Sequence, residues 1–103
     1  YDLLVTPTLA RTALDAGHDL YDPVIIANQI TGKIRQNWYP YTHPFNMTGH
    51  PSLSVPCGWC SDGLPAGIQF TGPMMSDTRL LKVAALFERA RPWAHMRPVV
   101  EGL

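Results

Sequence analysis

The chain has 103 residues, 46% of them hydrophobic and 16% charged, with eight basic and eight acidic side chains and a formal net charge of zero. That length allows one modest domain, while the composition asks for more buried surface than a lone domain of this size usually supplies. No basic run offers a footprint for nucleic acid, and no apolar stretch approaches the roughly 18 residues that suggest a membrane span.

The chain opens on Tyr1 rather than Met and shows no secretory signal, so its first residue is not expected to be a natural translation start. "YDLLVTP" follows, where Leu3, Leu4 and Val5 between Asp2 and Pro7 predict a short buried strand with neighbours on both sides. Residues 8 to 37 read as a long irregular excursion, with a helical piece expected over Pro23 to Ile30. "WYPYTHPFNMTGHP" is too rich in proline for a long helix, but Pro44 can open a short helical turn ending near Gly49.

Two alternating stretches come next. "SLSVP" has small serines on one face, which suits the close approach of a packed helix. "AGIQFTG" places Ala66, Ile68 and Phe70 together on one side. Asp62-Gly63 and Pro65 between them signal a tight turn, so the two strands are expected to be antiparallel neighbours. The last element is the plainest: Leu80, Val83, Ala84 and Phe87 recur at helical spacing. Leu81, Ala85 and Leu86 widen the apolar arc beyond what a three-stranded sheet would cover, while Arg79, Lys82 and Arg89 mark the solvent side. Ser76 or Asp77 can cap its start, and Pro92 stops it after Arg91.

Cys57-Gly58-Trp59-Cys60 has the spacing of a redox or metal pair. A redox cysteine needs a helix N-terminus to stabilise its thiolate, yet here a strand end precedes Cys57 and the turn "SDGLP" follows Cys60. A structural zinc site needs four ligands, and none of the four histidines lies at zinc-finger spacing from these two cysteines. Two strand-end or loop cysteines are the plainer reading. His43 and His50 flank a proline-rich turn and read as turn histidines. Ser52 and Ser54 lie in no nucleophile elbow, and no carboxylate pair stands out. The chain offers no self-sufficient catalytic constellation.

Taken in order, "YDLLVTPTL", "YPYTHPFNMTGHPSLSVPCG", "DGLPAGIQFTGP" and "DTRLLKVAALFERARPW" resemble the C-terminal part of amidase-signature enzymes. The likeness covers residues 1 to 7 and 38 to 98 and is looser over 8 to 37; Ala66 stands where the family usually has valine. It implies an α/β fold with a mixed central β-sheet flanked by helices, incomplete in this chain. Residues 1–103 would be one segment of a single larger amidase domain, with no internal boundary. The family's chemistry is hydrolysis or transfer of carboxylic amides by a Ser–cis-Ser–Lys triad in a Gly/Ser-rich signature upstream. No such run occurs here, so no catalytic residue is expected and the chain should be inactive alone.

The resemblance implies no cofactor and no metal. Its expected partners are a small-molecule amide and the remaining N-terminal portion, in a cytoplasmic enzyme, without nucleic acid or membrane; a homodimer stays open. In amidotransferase relatives, the stretch matching 37 to 42 reaches the acyl-side pocket and carries an acidic residue. Here Tyr39 takes that position, and Trp38, Tyr41 and Thr42 complete an aromatic wall that favours a less polar amide over glutamine. Plain packing is the competing account of these aromatics. For the whole chain, a stand-alone binding or redox module using Cys57 and Cys60, or a non-catalytic truncated product, remains the alternative.

Overall fold

The two alternating stretches form strands, and they pair. In the computed structural model, which describes residues 1–98, the elements are β1 (Leu4–Pro7), β2 (Ile25–Ile26), β3 (Gln29–Ile30), α1 (Ile34–Asn37), α2 (His43–Thr48), β4 (Ser52–Trp59), β5 (Pro65–Thr71) and α3 (Asp77–Ala90). β5 is central, with β1 on one side and β4 on the other, both antiparallel to it. Pairing among the described residues is antiparallel throughout.

Register and the two-residue period of a strand sort the side chains onto two unlike faces. Leu53, Val55 and Val5 stand opposite Phe70 and Ile68, which makes one face apolar. α3 lies on it, and the rings of Phe70 and Phe87 meet edge to face with centroids 5.6 Å apart. Leu80 and Ala84 are the buried residues of the helix, as its spacing requires.

The opposite face carries Ser52, Ser54, Thr6, Gln69 and Thr71. Gln69 and Thr71 are only 4% and 5% exposed. Their burial is tolerated because their polar atoms are paired. Gln69 Nε2 donates to Thr6 Oγ1 at 3.1 Å and to the Tyr41 carbonyl at 2.9 Å, and the hydroxyls of Ser52 and Thr71 lie 2.8 Å apart. The small serines therefore do not receive a helix: the irregular segment before β4 packs there, and α3 takes the apolar side.

Three further expectations change. β1 is an edge rather than a central strand, and Leu4 and Val5 are 53% and 51% exposed, because nothing among the described residues pairs with its outer side. Residues 23 to 30 contain the β2–β3 hairpin instead of a helix. Its turn residues Ala27 and Asn28 both have positive φ, at 49° and 63°, as a tight two-residue hairpin turn requires. Cys57 lies inside β4 at a bulge, where the register shifts between Pro56 and Gly58, so it is not at a strand end.

The remaining local signals hold. α2 ends on Gly49 with φ 74°, and Gly63 takes φ 79° in the β4–β5 turn. Ser76 stands at the α3 N-cap, but its hydroxyl donates back to the Pro73 carbonyl at 2.6 Å instead of capping the helix. Leu81 and Leu86 of α3 remain exposed, so the arc is indeed wider than this sheet covers. No described helix is long and apolar enough to cross a membrane.

Candidate functional site

Where the chain leaves β1 and runs past residues 64 to 68, a groove of about 760 Å³ opens. Its lining comes from residues 5–13 and 64–68, with Trp38, Ser54, Cys57 and Cys60. Most of these side chains are apolar, as in sites that bind small organic ligands.

Its polar points are few and each has a cause in the fold. The hydroxyls of Thr8 and Ser54 lie 2.6 Å apart over Gly67, and the Thr8 amide donates to the Gly67 carbonyl at 3.0 Å. A Cβ at Gly67 would fall 2.7 Å from Thr8 Oγ1 and 3.1 Å from Ser54 Oγ, so glycine is what lets the loop approach the sheet. When one hydroxyl of the pair donates to the other, the acceptor's own proton remains free for a ligand. Among the described residues neither lysine nor histidine lines the groove, so none of them stands beside Ser54 as a base there.

Trp38 is held at both ends. Its carbonyl accepts from the Ala10 amide at 2.8 Å, and its indole N–H is shared between the carbonyls of Arg11 and Thr12 at 3.3 and 3.2 Å. The ring's polar atom is thus satisfied within the protein, and its apolar surface serves the groove. Tyr39 meets the Trp38 ring edge-on at 6.3 Å, Thr42 donates its hydroxyl to the Tyr39 carbonyl at 3.2 Å, and the Tyr41 carbonyl anchors Gln69. Of the four residues of the expected aromatic wall, Trp38 lines the groove, whereas Tyr39, Tyr41 and Thr42 are not among its lining residues.

At the far end, Thr12 donates its hydroxyl to the Asp62 carboxylate, which also accepts from the Leu64 amide at 3.0 Å. These two bonds, with a smaller contribution from the Arg11 charge, hold the Asp62 carboxyl below the usual aspartate range. Arg11 itself donates to the Ile25 carbonyl at 2.9 Å.

Both cysteines line the groove as free thiols, and Cys57 Sγ points at the Ala66 carbonyl, 3.4 Å away. They sit on a strand and its turn, without the helix N-terminus that would favour a thiolate. No group of three or more metal-ligating side chains occurs among the described residues. His50 is a turn histidine, its Nδ1 lying 2.9 Å from Thr48 Oγ1.

Sequence reasoning passed over Thr8, Arg11 and the part played by Ser54. One signal for them was readable: a glycine inside an alternating strand, at position 67, marks close approach of another segment. Which segment approaches is a long-range fact that no local pattern carries.

Comparison with known proteins gives a consistent picture. A family model described as Amidase matches residues 1–81. An acylamidase from Rhodococcus erythropolis is 35% identical over 98 residues, covering 95% of this chain and 20% of that protein. A glutamyl-tRNA(Gln) amidotransferase subunit from Thermosynechococcus vestitus is 36% identical over 97 residues, covering 94% of this chain and 18% of its own length. The crystal structure of a bacterial aryl acylamidase, one of the amidase-signature enzymes, superposes with a TM-score of 0.72 at 36% identity, over 96% of this chain and 21% of its own. The chain thus spans about a fifth of the length of the curated relatives it matches.

Proposed function

The chain belongs to the Amidase family, and on that premise we propose that it forms one wall of the acyl pocket in a cytoplasmic enzyme that hydrolyses carboxylic amides. The observation that carries this reading is the apolar groove with Trp38 in its lining and the paired hydroxyls of Thr8 and Ser54 beside it. Such a site suits an apolar acyl group, with the free hydroxyl proton available to a carbonyl oxygen.

Bond cleavage belongs to a Ser–cis-Ser–Lys triad outside these residues. There a lysine polarises two serines so that one hydroxyl attacks the amide carbonyl, and backbone N–H groups hold the oxyanion. Within this single larger domain, residues 1–103 shape the pocket. The exposed apolar side chains Leu4, Leu81 and Leu86 are where the rest of the domain packs.

Trp38 is the contact residue of the wall; Tyr39 packs edge-on against it, Thr42 donates to the Tyr39 carbonyl, and the Tyr41 carbonyl holds Gln69. An aromatic wall without a carboxylate lacks the partner for the ammonium group of glutamine. The reading therefore follows the acylamidase relatives rather than the amidotransferase. The test is the ratio of kcat/KM for an aromatic amide to that for glutamine, in the complete enzyme that carries the triad and in its Trp38→Ala variant. The ratio should favour the aromatic amide and fall at least about tenfold on truncation. An equal loss on both substrates, tracking a lower Tm, would show that the aromatics only pack. No amide turnover at all would remove the hydrolase reading.

A further inference from the structure

Arg11 stands out among the groove residues because its charge has no ion-pair partner among the described residues. It lines the groove, yet its guanidinium donates only to neutral carbonyls, Ile25 at 2.9 Å and, at the limit of a hydrogen bond, Ala13 at 3.5 Å. Among the described residues the one ion pair within 4 Å is Arg79 with Asp2, elsewhere on the molecule. Asp62 is the acid whose charge Arg11 feels, but its oxygens are taken by Thr12 and the Leu64 amide, and it makes no direct contact with the guanidinium. A guanidinium carries five N–H donors in a rigid fork, so several remain for a ligand.

We propose that Arg11 is an anion anchor at one end of the groove, selecting amides whose apolar body ends in a carboxylate. The proposal rests on the amidase reading above and names its substrate class. The apolar lining and Trp38 hold the body, the Thr8–Ser54 pair serves a neutral oxygen, and the guanidinium takes the charged end. A charge-assisted bond formed against apolar surroundings is stronger than its neutral counterpart, which is what makes the charge a selector. Ile25 and Ala13 already hold the fork in place, so little side-chain freedom is lost when the ligand arrives.

Two experiments separate this proposal from the one it rests on. The first is binding without chemistry: titration of the protein with hexanoate and, as its uncharged counterpart, hexanol. Hexanoate should bind about tenfold or more tightly, the preference should vanish in Arg11→Gln, and Arg11→Lys should retain part of it. Arg11→Gln keeps a donor for the Ile25 carbonyl, and a Tm within a few degrees of the parent would show the fold intact; if it unfolds, the preference of the parent and of Arg11→Lys decides. Equal affinity for the two probes, no binding of either, or an unchanged preference in Arg11→Gln would overturn the anchor.

The second is turnover of adipic acid monoamide against hexanamide by the complete enzyme that carries the triad. The monoamide should lead in kcat/KM, and Arg11→Gln should lose that lead. Equal turnover of both amides by the parent would overturn the selectivity and leave the amidase reading standing. No turnover of either would overturn the amidase reading, and the hexanoate preference would then judge Arg11 by itself.

Discussion

The two faces of the three-stranded sheet are built from the same strands by different means. Under α3 the contact is apolar and non-directional: Phe70, Leu80, Ala84 and Phe87 exclude water, and area removed from water is the main driving force. Under the 8–42 segment the contact is polar and directional, made of the Thr8–Ser54 pair, the Gln69 amide with its two acceptors, and the Trp38 clasp on residues 10–12. An apolar face tolerates some sliding. A hydrogen-bonded face does not, because each bond is lost over a fraction of an ångström. The difference explains why the polar points of the groove lie on the loop side: a binding site needs fixed positions for its few polar groups, and directional bonds supply them.

The comparison can be broken most severely from the helix side. Leu80 is 2% exposed, and Leu80→Ala should cost about 2–5 kcal/mol, read from the urea unfolding midpoint of the protein. A cost below the loss seen for the polar-face variants would mean that the helix face is not the main source of stability. Gly67→Ala attacks the other face by wedging a methyl between Thr8 and Ser54, and overpacking of this kind should cost about 1–3 kcal/mol. Hydrogen exchange should then rise first over residues 8–13 and leave α3 protected. Uniform loss of protection would show that the two faces are not separable.

Thr8→Val sharpens the contrast further. It leaves the Ser54 hydroxyl without its partner at nearly constant volume, so the expected loss is about 1 kcal/mol. In a double-mutant cycle with Ser54→Ala, the coupling should be clearly non-zero; additivity would show that the short hydroxyl pair carries no energy.

The smallest effect is at Asp62. Its carboxyl is held below the usual range by Thr12 and the Leu64 amide, so folding favours the ionised form. The contribution is complete above the unfolded-state pKa and is lost as the pH falls below about 4 through the folded-state value. Thr12→Val should move the Asp62 titration, followed by carboxyl NMR, upward toward the ordinary aspartate value without altering stability near neutral pH beyond the loss of one exposed bond. An unmoved titration would mean that Thr12 does not stabilise the carboxylate.

Periodicity was enough for the helix side. The spacing of Leu80, Val83, Ala84 and Phe87, the alternation of Ile68 and Phe70, and the Asp62-Gly63 turn determined α3, β5 and their partner β4. These features are local, and their physical cause is local too: side-chain period and backbone preference act within a few residues. The family likeness was legible for the same reason, since its motifs are contiguous.

The loop side depended on the tertiary structure. Residues 23 to 30 form a hairpin in which Ala27 and Asn28 adopt positive φ and Arg11 binds the Ile25 carbonyl across 14 positions of sequence. The groove arises because Thr8 meets Ser54 from 46 positions away and Trp38 reaches back 27 and 26 positions to the carbonyls of residues 11 and 12. Even the exposure of Leu4 and Val5 in a strand that reads as buried reflects what does or does not lie beside them. The residues for each of these contacts are written in the sequence; their pairing is not, because a hydrogen bond between distant positions leaves no local period to read.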